Sequence, residues 1–136
     1  MKDEQNSEAT PKVTGIGGIF FLSDDLQKTK DWYTKNLGFE INDWGSSSFD
    51  SRKADNPDQI ISLQWTPFKK DSDYFAPSKK EFMINYTVRD IEGFVARLKQ
   101  NGVTVLHEIA TYDFGKFVHI MDDDGNKIEL WEPAEK

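Results

Sequence analysis

Cysteine is absent from the 136 residues. That excludes disulfides, thiolate zinc sites, iron–sulfur clusters and a cysteine nucleophile, and it leaves folding to the apolar core. Apolar runs of membrane-spanning length are absent as well. Residues 1–12, mostly charged or polar, lack the apolar stretch of a signal peptide and read as a flexible N-terminal tail. Cations are the minority: 17 lysines and arginines face 24 aspartates and glutamates, a formal charge of -7. An acidic body repels phosphate backbones. The expected protein is therefore cytoplasmic, with neither nucleic acid nor membrane as a partner. What the chain has in quantity is aromatic: ten Phe, four Trp and four Tyr bring the share to 13%, enough for both a core and an aromatic-lined pocket.

Two stretches follow one grammar. Val13 to Leu22 is rich in β-branched and aromatic residues, and Ser23-Asp24-Asp25 then offers side-chain oxygens to cap a helix. Leu26, Thr29, Trp32, Tyr33 and Leu37 recur at helical steps, and Gly38 stands where a left-handed cap is needed. Later, Phe82 to Val88 is strand-like and Asp90 caps. Ile91, Phe94, Val95 and Leu98 then form a stripe that ends before Gly102. Asp25 recurs as Asp90, Gly38 as Gly102, and Trp65-Thr66-Pro67 as Trp131-Glu132-Pro133, at nearly one offset. Strand composition returns after each helix, in Phe39 to Trp44, Ser46 to Phe49 and Gln59 to Trp65, then in Val103 to Glu108, Lys116 to Met121 and Lys127 to Trp131. The polar stretch Asp50 to Asp58 and the Asp-rich Asp122 to Asn126 are expected at matching hairpins.

This order of elements over residues 13–133 resembles the vicinal oxygen chelate superfamily, which contains glyoxalase I, the bleomycin and fosfomycin resistance proteins and extradiol dioxygenases. The resemblance rests on Trp32-Tyr33 with Leu37-Gly38-Phe39, and on Asp122 to Trp131, which is similar to the family's Asp-Pro-Asp-Gly turn and Glu-Leu strand. It implies an α+β fold of duplicated βαβββ modules, 13–67 and 81–133 joined by a linker 68–80, with mixed sheets curled around a central cavity and helices outside. It also implies a homodimer.

The family's metal ligands come from the first and last strands of each half. Those places fall here on Gly18, Met83, Glu129 and either Ser62 or Leu63, depending on register. Only Glu129 is a good ligand for a hard ion, so no metal site and no cofactor is expected. Gln64 is an amide that a shifted register could bring inward. Val118 and Ile120 share an aliphatic face, as do Ile128 and Leu130, which turns Phe117, His119 and Met121 toward the cavity beside Glu129 and Trp131. The position of His119 is similar to one where fosfomycin resistance proteins place a ligand-touching residue.

Glu129 and His119 are thus the candidate catalytic residues, and Phe20, Met83, Asn85 and Trp131 the candidate ligand-binding ones. Asn85 alternates with an apolar row and points inward, where a buried amide needs partners. Each has a plainer role: Glu129 as a solvated rim acid, His119 as a hydrogen-bonded strand histidine, and His107 as a surface residue beside Glu108. Gly15, Gly17 and Gly18 lie inside a strand and permit close backbone approach rather than phosphate binding. Two functions follow. One is a small-molecule binder whose acid favours a cationic or hydrogen-bond-donating ligand; the alternative is a metal-dependent lyase, isomerase or dioxygenase using Glu129 and His119.

Overall fold

Each helix begins on an aspartate whose carboxylate accepts a backbone N–H of the first turn. In the computed structural model, which describes residues 10–134, strand β1 (Lys12–Ser23) leads into α1 (Leu26–Leu37), with the Asp25 carboxylate 3.2 Å from the Lys28 amide. Gly38, at φ 74, closes α1 by donating to the carbonyls of Thr34 and Tyr33, a conformation that costs a residue without Cβ little. Strands β2 (Ser47–Lys53), β3 (Asn56–Lys69) and β4 (Phe82–Arg89) follow. Asp90 then starts α2 (Ile91–Gln100) and accepts from Gly93 N. The free N–H of Ile91 is taken by Glu132 at 2.8 Å. The chain ends in β5 (Ala110–Tyr112), β6 (Gly115–Met121) and β7 (Lys127–Pro133).

The strands form one mixed, unclosed sheet in the order β2-β3-β1-β4-β7-β6-β5. Parallel pairs β1/β3 and β4/β7 flank an antiparallel seam between β1 and β4. The two halves therefore share a single sheet and join inside the chain. The duplicated α+β architecture with outer helices is as expected. The second half holds strand, helix and three strands, whereas the first holds only two strands after its helix.

The missing strand is Phe39 to Trp44. Asn42 instead folds the chain back, its side chain accepting from Trp44 N and Ser46 N while Gly45 at φ 84 donates to Asn42 O. Val103 to Glu108 is reduced to a Val105–Ile120 bridge, flanked by bonds from Leu106 N to His119 O and from Met121 N to Thr104 O. Most of the polar stretch from Asp50 to Asp58 is itself strand, since β2 runs to Lys53 and β3 resumes at Asn56. β3 continues to Lys69, so the connection to β4 covers 70–81. Asp122 organises the expected hairpin turn, accepting from Asp124 N and Asn126 N. Of the tail, residues 1–9 lie outside the described residues, while the carbonyls of Thr10 and Pro11 accept from Arg89 and Arg97.

The core sits between α2 and its sheet: Val88, Ile91, Phe94, Val95, Val118, Ile120 and Leu130 are buried together, each such side chain worth about 1.5–3 kcal/mol of burial. The first half is thinner. No residue of α1 is fully buried, and Trp32 and Leu37, expected on its apolar stripe, are exposed. Tyr33 instead joins Phe21, Phe39 and Trp65 in a ring cluster with centroids 4.6–5.4 Å apart.

Candidate functional site

Strand register sets one row of residues across six strands. Ser48 stands opposite Gln64, Gln64 beside Gly18, Gly18 opposite Asn85, Asn85 beside Glu129, and Glu129 opposite His119. Directly paired residues share a face, and it is the face away from α2, because Val118, Ile120 and Leu130 point the other way into the core. Gln64 is thus the residue beside Gly18, where the sequence pointed to Ser62 or Leu63. Asn85, rather than Met83, stands beside Glu129. Met83 is fully buried two residues along, opposite Phe20. A bulge at Gly17 interrupts the β1/β4 ladder, a shift that spacing along the chain does not disclose.

Glu129, only 3% exposed, receives three donors. Asn85 Nδ2 lies 2.7 Å from Oε1, while the Tyr74 hydroxyl at 2.5 Å and His119 Nε2 at 2.8 Å meet Oε2. Burial works to raise the carboxyl's pKa. The hydrogen bonds from His119, Tyr74 and Asn85, with the field of His119, outweigh it and hold the group below its ordinary value. The anionic form is therefore built into the fold. The Tyr74 phenol is pushed far up, by burial first and then by the adjacent carboxylate, so it stays a donor.

Tyr74 belongs to the connection between the halves, where no functional residue was expected. Its ring stacks on Phe68 at 5.5 Å and meets His119 edge-on at 5.4 Å, and Lys127 Nζ donates to its carbonyl. Phe75, 2% exposed, fills the space beside Phe68, which also contacts Phe20. His107, expected at the surface, is exposed, yet its Nε2 lies 2.6 Å from His119 Nδ1. The clue to both was chemical: a buried carboxylate needs more donors than its own strand neighbours supply.

Trp131 stacks on Phe117 at 5.7 Å and 7°, and Tyr112 stacks on Phe114 beside them at 5.4 Å and 6°. Asn85 Oδ1 is buried with no hydrogen-bond partner. The amide cannot flip to satisfy it, because Nδ2 must face the carboxylate. Gly17 is required next to it, since a Cβ there would sit 2.5 Å from Oδ1 and 2.9 Å from the Trp131 ring. Two surface concavities, about 440 and 480 Å³, lie around Ser23 to Asp25 instead. Neither is lined by the residues of the row.

A metal, as the family resemblance implies, does not suit these groups. Gly18 offers no donor, Asn85 turns its Nδ2 toward the carboxylate, and each Glu129 oxygen already accepts from N–H or O–H groups.

The sequence model of the Glyoxalase/Bleomycin resistance protein/Dioxygenase superfamily matches residues 15–130. The uncharacterised protein YetH of Bacillus subtilis (strain 168) is 28% identical over 124 residues, covering 88% of this chain and 99% of YetH. Among solved structures, a Streptomyces coelicolor methylmalonyl-CoA epimerase variant in complex with 2-nitronate-propionyl-CoA is similar with TM-score 0.63 at 22% identity, covering 91% of this chain and all of that one. A Mycobacterium tuberculosis methylmalonyl-CoA epimerase gives TM-score 0.58 at 24% identity, with 90% of each chain covered. These likenesses show the fold.

Proposed function

The chain belongs to the glyoxalase/bleomycin resistance protein/dioxygenase superfamily, and on that premise we propose that it binds a small molecule on the sheet face opposite α2, without a complete metal site. The observation that carries this reading is the buried polar cluster of Asn85, His119 and Glu129, whose Asn85 Oδ1 is an unpaired acceptor. An unmet buried acceptor costs about 1–3 kcal/mol, and a ligand that donates an N–H or O–H recovers it. The rings of Phe117 and Trp131 supply a flat wall for an apolar part, and the fixed charge of Glu129 favours a ligand that is cationic or rich in donors. Phe20 and Met83 close the other side.

The experiment is a thermal-shift screen of small molecules against the wild type, Asn85→Ser and Trp131→Ala. A hit should raise the wild-type melting temperature by mass action and lose most of that effect in both variants. Equal shifts in all three would place the ligand elsewhere and defeat the reading.

The metal-dependent lyase, isomerase or dioxygenase has weaker support. Among the described residues no group of three or more His, Cys, Asp or Glu side chains is placed to hold an ion, and a carboxylate held below its ordinary pKa is a poor base. We further propose a cytoplasmic homodimer. No helix among the described residues is long and apolar enough to cross a membrane, and Ile16, Ile19, Ile60 and Ile61 on β1 and β3 are 40–50% exposed.

A further inference from the structure

The two edges of the sheet are finished differently. At one end β5 has three residues, too short a strand to template another. At the other, β2 pairs with β3 in unbroken register from Ser47 to Arg52, and its outer side meets no strand among the described residues. Residues 48–52 along it are all exposed. An open row of backbone N–H and C=O groups invites a further strand, and proteins commonly block one with proline, a bulge or lysine. In β2 the register shift and Lys53 come only after Arg52, so the preceding stretch stays open.

Asp50 and Arg52 stand two residues apart on this edge and so share a face, the one that carries Ser48 and Gln64. Asp50 accepts from the Ser62 hydroxyl at 2.6 Å through Oδ1 alone, and Arg52 donates to the Pro57 carbonyl at 2.8 Å through one Nη. Neither has an oppositely charged partner among the described residues.

We propose that β2 pairs antiparallel with β2 of a second copy of this chain about a two-fold axis at Ser51, setting Asp50 opposite the partner's Arg52 and Arg52 opposite the partner's Asp50. This rests on the homodimer proposed above and names its interface. A two-fold axis perpendicular to the sheet keeps equivalent faces together, so the residue on the axis must oppose its own copy. That leaves few registers. With the axis at Asp50 or Arg52, like charges would oppose each other, and at Ser48 or Phe49 neither charge would meet its opposite. At Ser51 both pairs form at once, across adjacent strands, where opposite charges stabilise and like charges destabilise.

The other face agrees with this register. Phe49, 45% exposed, stands opposite the partner's Lys53, whose aliphatic stem lies along the ring. Ile60 and Ile61, 50% and 43% exposed, stand one strand in from the edge, so the joined strands border the apolar surface that a dimer has to cover. The face carrying Gln64, Asn85 and Glu129 then continues from one copy into the other.

The chain has no cysteine, so single-cysteine variants report the register directly. Ser51→Cys sets two thiols opposite each other at the axis, and under mild oxidation it should form a disulfide-linked dimer roughly tenfold or more faster than Ser48→Cys, whose two copies lie at opposite ends of the pairing. Equal rates would refute the register. In light scattering across a concentration series, Asp50→Arg and Arg52→Asp should each weaken association roughly tenfold or more, because each sets like charges opposite each other twice. The two reversals combined restore opposite charges and should return the dimer, which shows that neither single variant lost it by unfolding. Failure of the combined variant to recover would overturn the charge pairing. Dimers that persist unweakened in both single variants would place the contact elsewhere, defeating this interface while the homodimer stands. A monomeric wild type would defeat both and leave the edge to a different partner.

Discussion

Glu129 illustrates how single residues here are committed by their partners rather than by their own chemistry. Its folded pKa is depressed, so its contribution to stability is present above the unfolded value of about 4.3 and is lost as pH falls through the lower folded value. Glu129→Gln should cost about 1–3 kcal/mol near neutral pH, because Asn85 Nδ2 would face an amide N–H in place of its acceptor and the bonds from Tyr74 and His119 would lose the carboxylate charge. It should also flatten the acid limb of stability against pH. Urea titrations of both proteins from pH 3 to 7, a range chosen around the usual carboxylate values, check this: parallel curves would mean that the carboxylate does not ionise differently on folding. Gly17→Ala is a second residue-scale case. Its Cβ would meet Asn85 Oδ1 and the Trp131 ring, and a melting temperature within error of wild type would show that the bulge has slack. The expected loss is about 1–3 kcal/mol, as for other overpacked sites.

At the scale of elements, the two helix starts look alike in sequence and differ in backbone. Asp25 is extended, at φ -146, whereas Asp90 sits in the left-handed region at φ 57. Asp25→Ala should cost about 1 kcal/mol, the usual value of a lost cap. Asp90→Ala should cost more, because it adds the strain of a left-handed alanine and loosens a helix carrying buried Ile91, Phe94 and Val95. Asp90→Gly should recover part of that difference. Chemical denaturation of the three variants decides the order, and equal losses at the two sites would refute it. The connection 70–81 makes the same point from the opposite direction: composition marked it as a linker, yet it delivers Tyr74 to a carboxylate 55 residues away.

For the whole molecule, burial is unevenly shared. The second half holds the contiguous core, while the first leaves Trp44 86% exposed and four isoleucines of β1 and β3 half exposed. The proposed homodimer covers such a surface, and light scattering at micromolar concentration should return twice the mass of 15.7 kDa. A monomer there would reject it. Protein purified without added metal should carry no stoichiometric zinc, nickel, iron or manganese after dialysis. Retention of any of them by the wild type but not by Glu129→Gln would show that the donors rearrange around an ion.

The sequence by itself determined both helices and most of the strands, the duplication, the family and the inward side of β6 and β7. These follow from periodicities of two and 3.6, from caps and from turns, all of which act over a few residues. His119, Glu129 and Asn85 were legible for that reason, each alternating with an apolar row on its strand. Tertiary structure alone decided the register that aligns Gln64, Gly18, Asn85 and Glu129, the placing of Tyr74 over the carboxylate, and the joining of His107 to His119. Those depend on a bulge at Gly17 and on two connections that cross the sheet. Their energies come from contacts between residues far apart in the chain, which no local pattern encodes.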